Sequence, residues 1–212
     1  MMKVIVVGSN GRVGSKLIDK LIENGHFVYA GTRRDNMISN STHLRYVHID
    51  LSDSPEVIAE QMSDAEAVFF TAGSRGKNLL QIDLNGAVKV MRSAEIKKIK
   101  RFVMLSSVFS LEQDKWNASF LKDITDYNIA KHFADQWLIN NTNLDYTILQ
   151  PGALKEIPGS GEIDVNIDHA GENSIENVVN TLAFCLQEPA TIGKVITMCD
   201  GKTPIQEALQ NI

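Results

Sequence analysis

A glycine-spaced loop, Gly8-Ser9-Asn10-Gly11-Arg12-Val13-Gly14, follows directly on the apolar run Lys3 to Val7 and opens a segment of helical periodicity. In that segment Val13, Leu17, Ile18, Leu21 and Ile22 share one face. Lys16, Asp19, Lys20 and Glu23 lie mostly on the other, and Gly25 supplies the stop. Glycines at such spacing let the backbone turn tightly and approach a phosphate, whose charge the first N–H groups of the helix then meet. A glycine triplet alone is weak evidence, because glycine also makes ordinary turns. Its place between an apolar strand and an amphipathic helix points to a dinucleotide-binding βαβ unit.

The rest of the chain repeats this alternation. Strands are predicted at His26–Gly31, Arg45–Ile49, Ala67–Thr71, Phe102–Leu105, Asp145–Leu149 and Lys194–Met198. Helices are predicted from Pro55, behind the cap Ser54, to Met62, then over Leu80–Ile96, Ile124–Ile139 and Ile175–Leu186, with a short amphipathic helix at the tail. Short apolar strands alternating with longer helices build an α/β fold of Rossmann type, a doubly wound parallel sheet covered on both faces. At 212 residues without a linker, residues 1–212 read as a single domain. A substrate site must then come from loops at the carboxyl ends of the strands. The Gly-rich, hairpin-like stretch Lys155–Gly171 and the last helix are expected to complete a small substrate pocket.

Charge and composition exclude several classes. A net charge of −5 gives no general attraction to nucleic acid or to an anionic membrane. The basic run Lys97-Lys98-Ile99-Lys100-Arg101 reads as a solvated helix end. No apolar run reaches membrane-spanning length, and the opening residues lack a signal-type core, so a cytoplasmic location is expected. Cys185 and Cys199 are expected as buried reduced thiols. The histidines at 26, 43, 48, 132 and 169 show no paired ligand spacing, so no metal site is expected. No motif encodes the oligomeric state, monomer or homodimer.

The strand ends carry the remaining candidates. Gly31-Thr32-Arg33-Arg34 closes the second strand with cations where an acid would serve NAD, so NADP(H) is expected over NAD(H). Arg33 is the first choice for the 2′-phosphate; Arg34 is a second candidate or a solvated loop residue, and Asp35 can pair with either. Asp50-Leu51 ends the third strand: Asp50 either accepts from adenine or starts a turn, and Leu51 covers the ring. Thr71-Ala72-Gly73 ends the fourth, with side chains small enough for a ribose to lie on the backbone. Tyr127 and Lys131, four residues apart on one helix face, converge with Ser106-Ser107 at the end of the fifth strand. Ser, Tyr and Lys together form a proton-transfer set in which the Lys cation favours phenolate. Trp116 and Phe120 either line a pocket beside Tyr127 or pack their loop against the sheet.

Taken together, these residues resemble the atypical short-chain dehydrogenases/reductases of the single-domain NAD(P)H-binding, NmrA-like type, over essentially the whole chain. The carrying features are Gly8, Gly11 and Gly14 in GxxGxxG spacing, Thr32-Arg33-Arg34, Asp50-Leu51, Thr71-Ala72-Gly73, Phe102 to Ser107, Tyr127 with Lys131, and Gln150-Pro151-Gly152. The resemblance implies strand order 3-2-1-4-5-6 with an extra strand, and NADP(H) across the carboxyl edge. It puts Asn10, Gly11, Arg12, Val13 and Gly14 at the pyrophosphate, Ser106 and Lys131 at the cofactor, and Pro151-Gly152 near the nicotinamide. The activity it implies is hydride transfer to or from a small carbonyl, quinone or similar substrate, with Tyr127, Lys131 and Ser107 as the catalytic set. Either Ser106 or Ser107 faces the substrate. The family also holds NADP sensors without turnover and flavin or quinone reductases that need no Tyr chemistry.

Overall fold

A computed structural model describes residues 1–34, 37, 39 and 41–212 of the chain. The first six strands are β1 (Lys3–Val7), β2 (Phe27–Thr32), β3 (Leu44–His48), β4 (Ala67–Phe70), β5 (Arg101–Leu105) and β6 (Asp145–Pro151). Side chains alternate along them: Val4, Val6, Ala67, Phe69 and Val103 pack on one face, and Ile5, Val7, Val68, Phe70, Phe102 and Met104 on the other. Both faces of the inner strands are buried, which is why β1, β2, β4 and β5 read as near-continuous apolar runs, whereas the edge strand β3 is only part-buried.

The helices divide between the two faces. Helices α1 (Arg12–Glu23), α5 (Ile175–Cys185) and α6 (Ile205–Gln210) cover the first. On the second lie α2 (Pro55–Gln61), α3 (Asn85–Ile96) and α4 (Thr125–Asn141). Ser54 caps α2 as expected, accepting from the Val57 N–H at 3.4 Å. The third predicted helix begins differently: residues Leu79–Leu84 form a π-helical turn that leads into α3.

Strand order is β3-β2-β1-β4-β5-β6, all parallel, as the resemblance implies. The chain winds outward from β1 to β3 and returns to β4 on the other side of β1. The order therefore reverses between β1 and β4, which opens a crevice at their carboxyl ends. Beyond β6 the sheet holds more than one extra strand. The run β7 (Ala153–Lys155), β8 (Glu162–Val165), β9 (Glu172–Ser174), β10 (Lys194–Asp200) and β11 (Thr203–Pro204) follows in sequence. Of these, β10 pairs parallel with β6, and β8 and β11 extend the edge in antiparallel register. A separate parallel pair joins β7 to β9. The hairpin-like sequence thus pairs with distant strands rather than with itself.

One cation of the basic run is not solvated. Lys97, Lys98 and Lys100 are exposed, but Arg101 is 8% exposed at the start of β5. Its guanidinium donates to Asp145 O and Thr147 Oγ1, both at 2.8 Å, to Thr191 Oγ1 at 3.0 Å, and to Cys185 O. It thereby joins β5 and β6 to the carboxyl end of α5. Both cysteines are free and buried.

Arg101→Met should strip four charge-assisted hydrogen bonds from buried acceptors, at a cost of about 2–4 kcal/mol. Thermal unfolding should show the midpoint falling by roughly 5–15 °C; an unchanged midpoint would contradict the structural role.

Candidate functional site

The glycine loop is held by contacts that exclude side chains. Gly8 has φ +97°, and a Cβ there would lie 2.5 Å from Ala72 N. A Cβ on Gly14 would lie 2.2 Å from Gly8 O. These two glycines let the loop close on β4 and let α1 close on the loop. Gly11 donates to Gly8 O at 2.9 Å and occupies the N-cap of α1 without a side-chain cap. The first-turn N–H groups of Arg12, Val13 and Gly14 therefore have no capping side chain, and the first turn carries no acidic residue.

Side chains tie the loop to β2. Ser9 Oγ donates to Gly31 O at 2.7 Å, and Asn10 Nδ2 donates to Thr32 Oγ1. Thr32 Oγ1 also accepts from Arg34 N at 3.0 Å, so Thr32 orders the turn that carries both arginines.

A cleft of about 710 Å³ runs along this edge. Gly8, Asn10, Gly11, Arg12, Val13, Arg33, Leu51, Thr71, Ala72, Gly73, Tyr127 and Lys131 all line it, so the structure gathers most of the residues singled out in the sequence. The volume falls within the range of small-molecule and cofactor sites. Uncapped N–H groups, a glycine backbone and an exposed Arg33 fit a phosphate-bearing dinucleotide.

Other expected residues lie off the cleft. Gly14 works from behind, through its approach to Gly8. Arg34 is exposed outside the lining, and Asp35 lies outside the described residues. Asp50 also lies off it: its Oδ1 accepts from Ser52 N at 2.8 Å and Ser52 Oγ at 2.9 Å. Those bonds, the backbone one first, hold its carboxyl below the usual range, with a smaller contribution from Arg33. This is the turn-forming geometry; Leu51 and Ile49 supply the wall.

Gly152 serves packing. Its N–H donates to Asn173 Oδ1 at 2.7 Å, and a Cβ on it would lie 2.0 Å from Gly171 O. Neither Pro151 nor Gly152 lines the cleft. The last helix, α6, packs with α5 and β8, and Leu154 is the lining residue contributed by the chain beyond β6. Arg12 does meet the 155–171 stretch, in an exposed ion pair with Glu156 at 3.7 Å. Trp116 donates to Phe109 O at 2.8 Å, and Phe120 packs on Val108, Phe109 and Leu121, so both secure their loop.

At the far end of the cleft stand Tyr127 and Lys131. Lys131 is 2% exposed, donates to Leu105 O at 2.8 Å, and holds its ammonium 6.0 Å from the Tyr127 ring centroid and 5.9 Å from that of Phe70. The serines behave differently from the expected set. Ser106 Oγ donates to Asp135 Oδ2 at 2.7 Å and is turned away from the cleft. Ser107 is buried outside the lining, and its hydroxyl has no protein hydrogen bond among the described residues. The phenol is also not driven toward phenolate. Burial first, then the Asp83 and Asp135 carboxylates, push its pKa well above the ordinary tyrosine value.

Sequence reasoning missed Asp83 and Asp135. Both are fully buried, and each has an Oδ1 without a hydrogen-bond partner. Asp83 falls on the helical face of Ala87, Val90, Met91 and Ala94, and Asp135 on that of Lys131, Ala134 and Leu138. A carboxylate inside an apolar stripe was the available signal. The loop after β4 adds Arg75, Lys77 and Asn78 to the cleft, and a second pocket of about 350 Å³ shares Tyr127 with Gly76, Leu79 and residues 122–126. Among the described residues no group of three or more His, Cys, Asp or Glu could hold a metal ion. No described helix is long and apolar enough to cross a membrane.

Comparison with known proteins agrees with this geometry. A family model described as NAD(P)H-binding matches residues 8–189. The crystal structure of the oxidoreductase ylbE from Lactococcus lactis is similar at 44% identity and TM-score 0.96, over 100% of this chain and 96% of that one. A structure from Bacillus halodurans, described as an NAD-dependent epimerase/dehydratase, is similar at 29% identity and TM-score 0.90, over 100% of both chains. Among curated proteins, YhfK of Bacillus subtilis (strain 168), described as an uncharacterised sugar epimerase, is 33% identical over 100% of both.

Gly14→Ala tests the loop. With Gly8 O in the way, α1 must move off the loop, at a cost of about 1–3 kcal/mol. Titration should show dinucleotide affinity falling at least about tenfold; wild-type affinity in the variant would contradict the assigned role.

Proposed function

Since the chain belongs to the NAD(P)H-binding family, we propose that it is an NADP(H)-dependent oxidoreductase acting on a small carbonyl, quinone or similar substrate in the cytoplasm. One observation carries the reading: a single cleft holds the glycine loop and Arg33 at one end and the half-buried Tyr127 with the buried Lys131 at the other. Arg33 meets the 2′-phosphate, the N–H groups of residues 12–14 meet the pyrophosphate, and Leu51 and Ile49 cover the adenine. When bound, the nicotinamide supplies or accepts the hydride.

The protein's part is the proton. Tyr127 keeps its proton at neutral pH, because burial and two carboxylates oppose phenolate. It therefore acts as the acid, giving its proton to a carbonyl oxygen as the carbon is reduced. Lys131 holds the nicotinamide ribose. Ser107 is the serine left to bind the substrate oxygen, because Ser106 is committed to Asp135. The 155–171 stretch lies outside the cleft lining and packs through Ile167 and Ala170 on Val108, Phe109 and Leu121, in the loop that follows Ser107.

A second reading, flavin or quinone reduction by direct hydride transfer, draws on Ser107 lying outside the cleft lining. That chemistry needs no oxygen-binding serine, and Tyr127 then contributes only shape.

Fluorescence titration with NADPH and NADH tests the cofactor. NADPH should bind more tightly, and Arg33→Ala should remove a ten- to hundredfold preference; equal affinities in the wild type would overturn it. For the chemistry, Tyr127→Phe should lower kcat for carbonyl reduction about 10²- to 10⁴-fold with NADPH affinity retained. Unchanged kcat would remove the proton-transfer role and leave direct hydride transfer.

A further inference from the structure

Lys131 is buried with hydrogen-bonding capacity to spare. An ammonium has three protons, and Nζ donates to one acceptor, Leu105 O. Facing it from two elements are carboxylates with the opposite surplus. Asp83, on the π-helical turn before α3, accepts from Ser74 N at 3.0 Å through Oδ2 and leaves Oδ1 unpartnered. Asp135, one turn beyond Lys131 on α4, gathers Ser106 Oγ at 2.7 Å, Gln150 Nε2 at 3.1 Å and Ser110 Oγ on Oδ2 and leaves Oδ1 unpartnered. Neither closes an ion pair with Nζ.

We infer that Asp83 and Asp135 are positioning residues, a divided counter-charge that holds the buried Lys131 ammonium at the cleft without binding it. Asp83 lines the cleft beside Lys131 and Asp135 lies outside the lining, so a closed pair with Asp135 would draw the ammonium away from the cleft. Two carboxylates acting from a distance keep the cation at Leu105 O with protons left to give. The hydrogen bonds on each Oδ2 fix the carboxylates: Ser74 N anchors Asp83, and the Ser106, Ser110 and Gln150 network anchors Asp135. The same two charges face Tyr127 and oppose its ionisation. This extends the proposed chemistry to two residues outside the Tyr127, Lys131 and Ser107 set, and its use in catalysis rests on that proposal.

The groups around Lys131 are Asp83 from the π-helical turn, Tyr127 and Asp135 from α4, the Leu105 carbonyl from β5 and the Phe70 ring from β4. Burial pulls the ammonium below the ordinary lysine value, and Asp135 and then Asp83 resist that pull; burial likewise lifts the Asp135 carboxyl above the usual aspartate range, opposed first by Lys131 and then by its Ser110, Ser106 and Gln150 hydrogen bonds. Replacing either carboxylate by its amide removes resistance, so the titration midpoint must fall.

The test uses the free protein, so it does not depend on which nucleotide or substrate binds. Protein carrying 13Cε-labelled lysine is titrated by NMR, with the Lys131 signal identified by its loss in Lys131→Met. Asp83→Asn and Asp135→Asn should each lower the Lys131 midpoint by about one pH unit or more, with melting cooperative. An unchanged midpoint in both folded variants would overturn the inference. A double-mutant cycle covers the case in which Asp135→Asn is strongly destabilised. Removing the cation as well, in Asp135→Asn with Lys131→Met, should recover at least about half of the lost melting temperature, and purely additive losses would count against the counter-charge.

Discussion

The approach of one backbone to another governs this molecule. Gly8 lies so close to the end of β4, and Gly14 so close to Gly8, that a Cβ at either would come within 2.5 Å of main-chain atoms. That closeness brings the amino end of α1 to the point where the sheet reverses direction. Without it the uncapped N–H groups would not face the crevice between β1 and β4. The pairing of Ser9 and Asn10 with the end of β2 then fixes the turn that carries Arg33. One packing constraint thus aligns the cationic and glycine-lined parts of a single cleft.

The other end of that cleft is built by burying charge. A lysine and two aspartates, each at most 2% exposed, lie within the packed face formed by β4, β5, α3 and α4. Burying charges is costly unless other charges and hydrogen bonds compensate. Here the compensation is spread over Ser74 N, Leu105 O, Ser106, Ser110 and Gln150. Such a cluster is poor value as a stabilising device and suits a site where proton position matters. The raised Tyr127 pKa belongs to this arrangement, and in the proposed chemistry it leaves the phenol protonated to act as the donor.

Much of this was legible in the sequence where local pattern and tertiary role coincide. The inner strands of the parallel sheet, β1, β2, β4 and β5, follow from apolar runs buried on both faces, and the glycine loop from its place between β1 and α1. Beyond β6, the strand Lys194–Met198 was legible as β10, but β8 and β11 were not, because they are short and pair with residues far away in the chain. Arg101 looked like one more cation in a basic turn; only the neighbouring β6 and the end of α5 show that its acceptors are inside. Ser106 and Ser107 are adjacent and chemically identical, so Asp135, 29 residues from Ser106, had to separate them. Pro151-Gly152 carried a family expectation, while Gly152 answers to its contact with Gly171. Asp83 and Asp135 sat in plain view within apolar helical stripes, and their significance needed the buried Lys131 ammonium that both act on.

In the proposed function the loop of residues 8–14 and the cleft ending at Lys131 seat one dinucleotide. Titration of 15N-labelled protein with NADPH, followed at the backbone amides, should then give saturable shifts at Gly11, Arg12, Val13, Gly14 and Arg33 together with Tyr127 and Lys131, and none in α6. Saturating NADPH that leaves the amides of residues 11–14 unmoved, or that shifts residues remote from the cleft instead, would contradict it.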